Sequence, residues 1–422
     1  MNDMPPGKPG QELLKPAAAA LLLGFVAYLC WTATLGSSGL LRWSSYGFSE
    51  WLINYEGGFV RRGLAGHYIH VLADKGSALA TVNTLVFINF STLCGLLFCL
   101  TALSRPVTPF MCILLLVVPG GVYGMMMGNE FYYRKEVVFH VGVATVALLF
   151  LIARRSGNPK VSRLLDSSAV ILIAIESIAL PLVHEGFLFM SAMPLAVIFY
   201  WIASPWSRRA ANAAMIAYFG LLIVQFLVLA AFRGDSATAH AIWASLNPTD
   251  RKLISPGGSI KDAIDAIGMS LLIAIRLARA VMTSGYVWYW AFALTASAAY
   301  LIAVGFTSTR RRSEAHRRAS WIFSLYVTCL VTSLPLFLLG FDWGRWIAAV
   351  NMSVVILICA GEFRSPAPVP VSLPFQTRDG EYSKKLMAVV LVVTALFGLS
   401  FKVPECCISG TGRTFDHVWH LK

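Results

Sequence analysis

Long apolar runs broken by short polar turns fill almost the whole sequence. The first extends from Pro16 to about Leu35, and ten more occur at about 83–103, 108–127, 137–153, 167–183, 187–204, 211–232, 285–306, 320–340, 346–361 and 386–402. A helix rises about 1.5 Å per residue and a hydrocarbon core is about 30 Å thick, so runs of this length predict transmembrane helices. The pattern predicts an all-α polytopic membrane protein with about eleven transmembrane helices, residues 1–422 forming a single transmembrane domain.

Two segments between the runs are longer than plain turns. Within 36–81, Phe48, Trp51, Leu52, Tyr55 and Phe59 are spaced so that short helices lie along the interface with their rings at headgroup depth, making this loop a floor or lid. Within 233–284, Ile260, Ile264, Ile267, Leu271, Ile275 and Met282 recur at helical spacing with Lys261, Asp262 and Asp265 opposite. Ser259 with Asp262 resembles a capping pair, and the segment predicts an amphipathic interfacial helix over about 259–283.

Basic residues orient the chain. Lys8 and Lys15 precede the first run, which reads as a retained first helix with its N-terminus inside; an odd number of spans then leaves the C-terminus outside. On this map the clusters Arg154 with Arg155, Arg208 with Arg209, Arg310 to Arg312, Arg317 with Arg318 and Lys384 with Lys385 lie inside, beside span ends, where the positive-inside bias is counted. Making 259–283 a full span would carry the Arg310 to Arg318 cluster outside.

Composition agrees with the pattern, since only 13% of residues are charged where a soluble domain carries about a quarter. The formal charge of +13 sits in short clusters between apolar runs, which suits anionic lipid and topology and excludes nucleic acid as the expected partner. The eight Cys show no metal spacing; six lie in apolar runs and read as small buried hydrophobes. Cys406 and Cys407 are adjacent in a tail predicted to be exported, so separate disulfide partners and free thiols are both open.

Four concentrated polar patches fall on the same, non-cytoplasmic side of this map. Glu56 to Arg62 places a carboxylate and two guanidiniums, Arg61 and Arg62, around a glycine pair, which suits either an acid or base beside a phosphate clamp or a contact with lipid headgroups. Asn129 to Glu136 brings Glu130, Arg134 and Lys135 to the start of a span, one turn before His140; charges at that depth face a polar cavity or one another. His184 beside Glu185 is either a proton acceptor or a hydrogen-bonded turn residue. In Asp342 to Arg345, the guanidinium can grip an anion while Trp343 and Trp346 stack on a sugar or anchor the interface. Arg276 and Arg279 add two guanidiniums on one face of the interfacial segment, and Glu176, inside a span, is expected to pair with an Arg.

The sequence has no Gly-rich phosphate loop with its Lys, no dinucleotide fingerprint, no His and Cys metal cluster and no Asp-x-Asp pair. ATP and nucleotide-sugar chemistry are disfavoured, and neither metal nor cofactor is expected. In plan the chain resembles the integral-membrane glycosyltransferases of the GT-C type and the bacterial O-antigen and exopolysaccharide polymerases related to them, with many spans, a first outer loop bearing an acid, and Arg residues near the lipid. The resemblance carries Glu56 over as the first-loop acid and Glu130 as the acid between the third and fourth spans. Arg61, Arg62, Arg134, Arg276, Arg279 and Arg345 match the type of residue such enzymes use for a lipid diphosphate. The chain lacks the paired Asp-Glu of the protein mannosyltransferases, and no specific signature aligns it with one polymerase.

The resulting expectation is a polysaccharide polymerase in a bacterial inner membrane. It would act at the periplasmic face on an undecaprenyl or related polyprenyl diphosphate-linked oligosaccharide, among membrane lipids, with flippase and chain-length regulator proteins as partners. Glu56, Glu130, His184 and Glu185 are the candidate catalytic residues, and Arg61, Arg62, Arg134, Lys135, Arg276, Arg279, Asp342 and Arg345 the candidate diphosphate-binding set. The alternatives are a transporter or flippase of lipid-linked saccharides and a transferase using a polyprenyl monophosphate sugar.

Overall fold

A computed structural model describes residues 9–34, 45–74, 76–104, 107–126, 133–283, 285–339, 342–361, 380–401 and 403. Glu130, Cys406 and Cys407 lie outside them. The described residues are helical, with no strand beyond an isolated bridge between Arg311 and Glu381. Among the described residues, eight helices are long and apolar enough to cross a membrane: Leu14–Trp31, Leu79–Leu103, Glu136–Arg155, Pro159–Val183, Arg208–Ala231, Val287–Thr307, Arg312–Leu338 and Trp343–Ala360. The last is the hub, 89% buried against 17% for Arg208–Ala231, because it packs on neighbours all round and its polar residues, Arg345 and Asn351, find partners there.

The three other runs expected to span are helical but form no single helix long enough to be counted among these eight. The run at 108–127 is split into Pro109–Leu116 and Val122–Met126. Pro119 cannot continue the amide ladder, and Gly120 takes φ 69 where an added Cβ would lie 2.6 Å from the Ala348 side chain. The freed carbonyl of Pro119 accepts from Asn351 Nδ2 at 2.8 Å, so the break is satisfied by the hub helix. The run at 187–204 is split into Phe187–Met190 and Ala192–Ala203. There Phe189 O accepts from Ser333 Oγ at 3.0 Å, and Ala192 O accepts from the Tyr218 phenol hydroxyl at 2.7 Å. The run at 386–402 is a helix of 17 residues, Lys384–Ser400.

Helix starts follow local chemistry. Thr108 before Pro109, Asn158 before Pro159, Ser207 and Ser383 each accept a backbone N–H one turn or less into the helix. Close helix pairs use glycine: Gly305 meets Ala319, where an added Cβ would lie 2.6 Å from its Cα, and Gly142 meets the Glu176 carboxylate.

The two long connections differ from their sequence expectation. In the first, helices Ser45–Trp51 and Gly63–Ala73 form, but Phe48, Trp51 and Leu52 are buried in the protein core rather than held at headgroup depth; Phe59 alone of that set is exposed. The expected helix over 259–283 is two pieces, Asp262–Asp265 and Leu271–Thr283. Ser259 and Asp262 make no capping pair: Lys261 holds the cap position without a side-chain bond, and Asp262 itself has φ 62. The first piece is fixed to the protein through Ser49 Oγ, which accepts from Ala263 N at 3.1 Å, and Ala263, Ile264 and the adjoining Ile267 are buried.

Candidate functional site

Glu50, at the end of the short helix Ser45–Trp51, is fully buried. Its neighbours put it there: Trp51 Nε1 donates to Tyr133 O at 2.7 Å, and Ser49 joins the helix to Ala263. Glu50 Oε1 lies 2.9 Å from His184 Nε2 and 3.6 Å from Arg62 Nη1, while Oε2 lies 3.5 Å from Arg134 Nη1. Burial alone would raise this carboxyl, but the proximity of His184, Arg134 and Arg345 holds it well below the usual carboxylate range.

His184 Nδ1 accepts the Gly186 N–H at 2.8 Å, which leaves the ring proton on Nε2, facing Glu50. The 2.9 Å contact is close but poorly aligned, and neither Glu50 Oε1 nor His184 Nε2 has a hydrogen-bond partner among the described residues. In this arrangement the imidazole braces Glu50; its other lone pair is already in use.

Glu185 binds Arg62 in two-pronged fashion, Oε2 accepting from Nε at 2.6 Å and Oε1 from Nη2, and Oε1 also lies 3.3 Å from Arg61 Nη1. Burial opposes ionisation of Glu185, and the charges of Arg62 and Arg61 overcome it and hold the carboxyl well below its usual range. Arg62 sits at φ 70, a conformation that costs a side-chain-bearing residue about 1 kcal/mol or more and persists only where its surroundings over-determine it. Here its fork is tied to Glu185 and its carbonyl accepts from Lys135 Nζ at 3.0 Å. Lys135 is fully buried, also donates to Val183 O at 3.2 Å, and has its ammonium pushed down to about 8 by that burial.

The network continues across the bundle. Arg134 lies over the Tyr46 ring, 4.4 Å from its centroid, and its Nη2 is 3.7 Å from Asp342 Oδ2. Arg345 Nε is 3.2 Å from the same Asp342 oxygen and 3.1 Å from Glu136 Oε1. A single string of alternating charge thus runs Glu185, Arg62, Glu50, Arg134, Asp342, Arg345, Glu136, drawn from four connections far apart in sequence. Trp343 and Trp346 support it by packing, Trp343 stacked on Trp290 with centroids 5.3 Å apart and Trp346 edge-on to Phe337 at 5.4 Å.

Arg61, Arg62, Arg134, Lys135, His184, Glu185, Asp342 and Arg345 are therefore brought together. Glu56 is not in the string; it is half-exposed and its charged neighbour is His70, 3.8 Å away. Arg276 and Arg279 are exposed on Leu271–Thr283, with no ion pair among the described residues. Glu176 is buried over Gly142 and, among the described residues, has no Arg partner, in contrast to the expectation: the close Gly142 approach accommodates the carboxylate where no guanidinium reaches. Sequence reasoning missed Glu50. The available signal was that it is the only acid between Gly36 and Tyr55, on a helix otherwise built to be buried.

Four guanidiniums, Arg61 beside Arg62 included, face the four carboxylates of this string, and Lys135 donates to backbone carbonyls beside it. Each guanidinium carries five N–H donors, about twenty in all, which exceeds what four carboxylates can accept. Buried atoms without a hydrogen-bond partner among the described residues include the donors Arg61 Nε, Arg134 Nε and Arg345 Nη1 and the acceptors Glu50 Oε1, Glu136 Oε1 and Glu136 Oε2. Arg345, Glu136 and His140 also border a small cavity against Ala348 and Ala349. The guanidinium N–H groups left unpartnered suit an anion with several oxygens. No protein-family model, curated protein or solved structure matches the chain.

Proposed function

We propose that the protein is a membrane-embedded glycosyltransferase of the polysaccharide-polymerase type, acting at the periplasmic face of a bacterial inner membrane on a polyprenyl diphosphate-linked oligosaccharide. The reading keeps the eleven-crossing topology, with the interrupted helices at 109–126 and 187–203 and the helix Lys384–Ser400 each counted as one crossing, so that the N-terminus is inside and the C-terminus outside. The observation that carries it is the convergence of four guanidiniums from three connections at one end of the bundle, with N–H groups of Arg61, Arg134 and Arg345 unpartnered among the described residues.

In the proposed step an acceptor hydroxyl oxygen bonds to the anomeric carbon as the anomeric C–O bond to the diphosphate breaks. The bonding pair departs on the diphosphate, whose growing charge Arg61, Arg134 and Arg345 stabilise more in the transition state than in the ground state. The hydroxyl proton passes to a carboxylate. Glu56 suits that role because, of the described acids in the four patches, it alone is outside the guanidinium string. His184 and Glu185 then serve as positioning residues.

The test supplies purified protein with a synthetic polyprenyl diphosphate oligosaccharide and no ATP. Elongated product that disappears in Arg134→Ala and Arg345→Ala supports the reading. A transporter reading draws on one observation, the buried Glu176 carboxylate within a span. Movement of unaltered lipid across liposomes without elongation would replace the transferase by the transporter.

A further inference from the structure

Behind the charge string, on the other face of the turn that joins Ser45–Trp51 to Gly63–Ala73, is a cavity of about 230 Å3. Its walls come from three outer elements: the first long connection, the helix Ser236–Ser245 and the helix Pro248–Ile254. The volume is below the roughly 300 Å3 at which pockets for drug-sized ligands begin, and fits one small ring.

The lining is built from fixed polar groups beside an apolar wall. Asn54 is fully buried; its Nδ2 donates to Ser245 Oγ at 3.0 Å and its Oδ1 accepts from Glu56 N at 3.0 Å, which leaves one amide hydrogen and one lone pair unused. Asp250 is buried and locked by Ser77 Oγ at 2.6 Å and Ala78 N at 2.9 Å, each carboxylate oxygen keeping a further lone pair. His70 adds an imidazole that is also the neighbour of Glu56. Ile69, Leu246 and Pro248 supply the apolar side. The described lining holds no guanidinium, whereas the adjoining string holds four, so the two sites sort ligands by charge.

We infer that this cavity binds a single sugar ring of a saccharide, its hydroxyls paired with Asn54, Asp250 and His70 and its C–H face laid on Ile69 and Leu246. A planar carboxylate, amide and imidazole offer donors and acceptors in the plane of a ring's hydroxyls, and an aliphatic wall matches the less polar face. Leu52 and Asn54 come just after Glu50 in the same turn, and Gly66 lies one helical turn after Arg62, so a ring held here is next to the diphosphate-binding string. The ring's role as acceptor rests on the transferase reading; its binding does not.

The probe is a panel of methyl glycosides of neutral hexoses and N-acetylhexosamines, and their disaccharides, observed by saturation-transfer NMR on the full chain in detergent. At least one saccharide is expected to bind, with affinity lowered tenfold or more in Ala73→Trp, which fills the cavity without removing a polar group, and in His70→Ala. Binding is expected to be unchanged in Arg310→Ala, at the opposite end of the bundle. A lipid diphosphate carrying the same disaccharide should compete for the site if the natural source is lipid-linked, and fail to compete if the source is free glycan. No binding by any saccharide in the panel, or binding untouched by Ala73→Trp, would overturn the inference. Saccharide binding with no consumption of the lipid-linked donor would leave the cavity assignment standing and remove the transferase.

Discussion

The two ends of the bundle are both rich in charge and could hardly be more different in how they hold it. At one end Glu50 and Lys135 are fully buried, and Glu50 and Asp342 are each shared between cations of different connections. At the other, charges meet in separate single pairs: Arg154 with Asp166 at 2.7 Å, Arg310 with Glu381 at 2.9 Å with both side chains about half exposed, and the more buried Arg318 with Glu314 one turn apart. The exposed end answers to topology, since lipid headgroups and short loops suffice to explain it. The buried end is expensive to build, because each charge taken from water is repaid only by well-placed partners. Such an arrangement stays in a protein where the charges have something to do.

The contrast is broken most sharply at Glu50. Glu50→Ala strands His184, Arg62 and Arg134 together and is expected to cost about 3–5 kcal/mol of stability, read as a large fall in the detergent melting midpoint. Arg345→Ala comes next: under the proposed transferase reading it loses one preorganised donor to the leaving diphosphate and is expected to slow transfer about 10²- to 10³-fold, measured as kcat on the lipid-linked substrate. Arg276→Ala, on the exposed helix, should leave kcat within about threefold.

pH sharpens the same contrast. The folded values of Glu50 and Glu185 lie below the ordinary 4.5, so their contribution is complete above about 4.5 and is lost as pH falls through the folded values. The melting midpoint should drop on acidification below that point, and Glu185→Gln should flatten the drop. Lys135 has its folded value displaced downward as well, but for a cation this is a cost of burial. Its folded value of about 8 is below 10.5, so the unfolded chain binds more protons between the two, and stability rises as pH climbs through that window. Lys135→Met should remove this rise in melts recorded from pH 7.5 to 10. The smallest effect belongs to the wet end, where Arg310→Ala should change stability by about 0.2–1 kcal/mol.

Much of the site was legible because its residues are polar in places where the chain is otherwise apolar. Arg134 and Lys135 at a span start, His184 and Glu185 at a span end, and Asp342 with Arg345 in a tight turn all stand out against their flanks, and a one-sided topology brings them to a common end. The string that joins them was not legible. Glu50 sits among Phe48, Trp51 and Leu52, which the sequence marks as interfacial aromatics and aliphatics, and only their burial turns it from a surface acid into the partner of His184. Glu56, with more conspicuous neighbours, stays outside because the turn after Asn54 points it toward His70. The breaks were missed: the run at 108–127 reads as one span although two glycines follow Pro119, and whether a break is tolerated there depends on Asn351, more than two hundred residues away.

Apolar length and the spacing of basic residues were sufficient for the class of fold and for grouping the polar patches, since partition into a bilayer and the cost of moving charge across it act on each segment nearly independently. Which acid meets which guanidinium, which span is interrupted, and where a ring-sized cavity opens depend on side chains of distant segments sharing one low-dielectric space. Those pairings depend on separations of a few ångströms between helices, and only packing sets such distances.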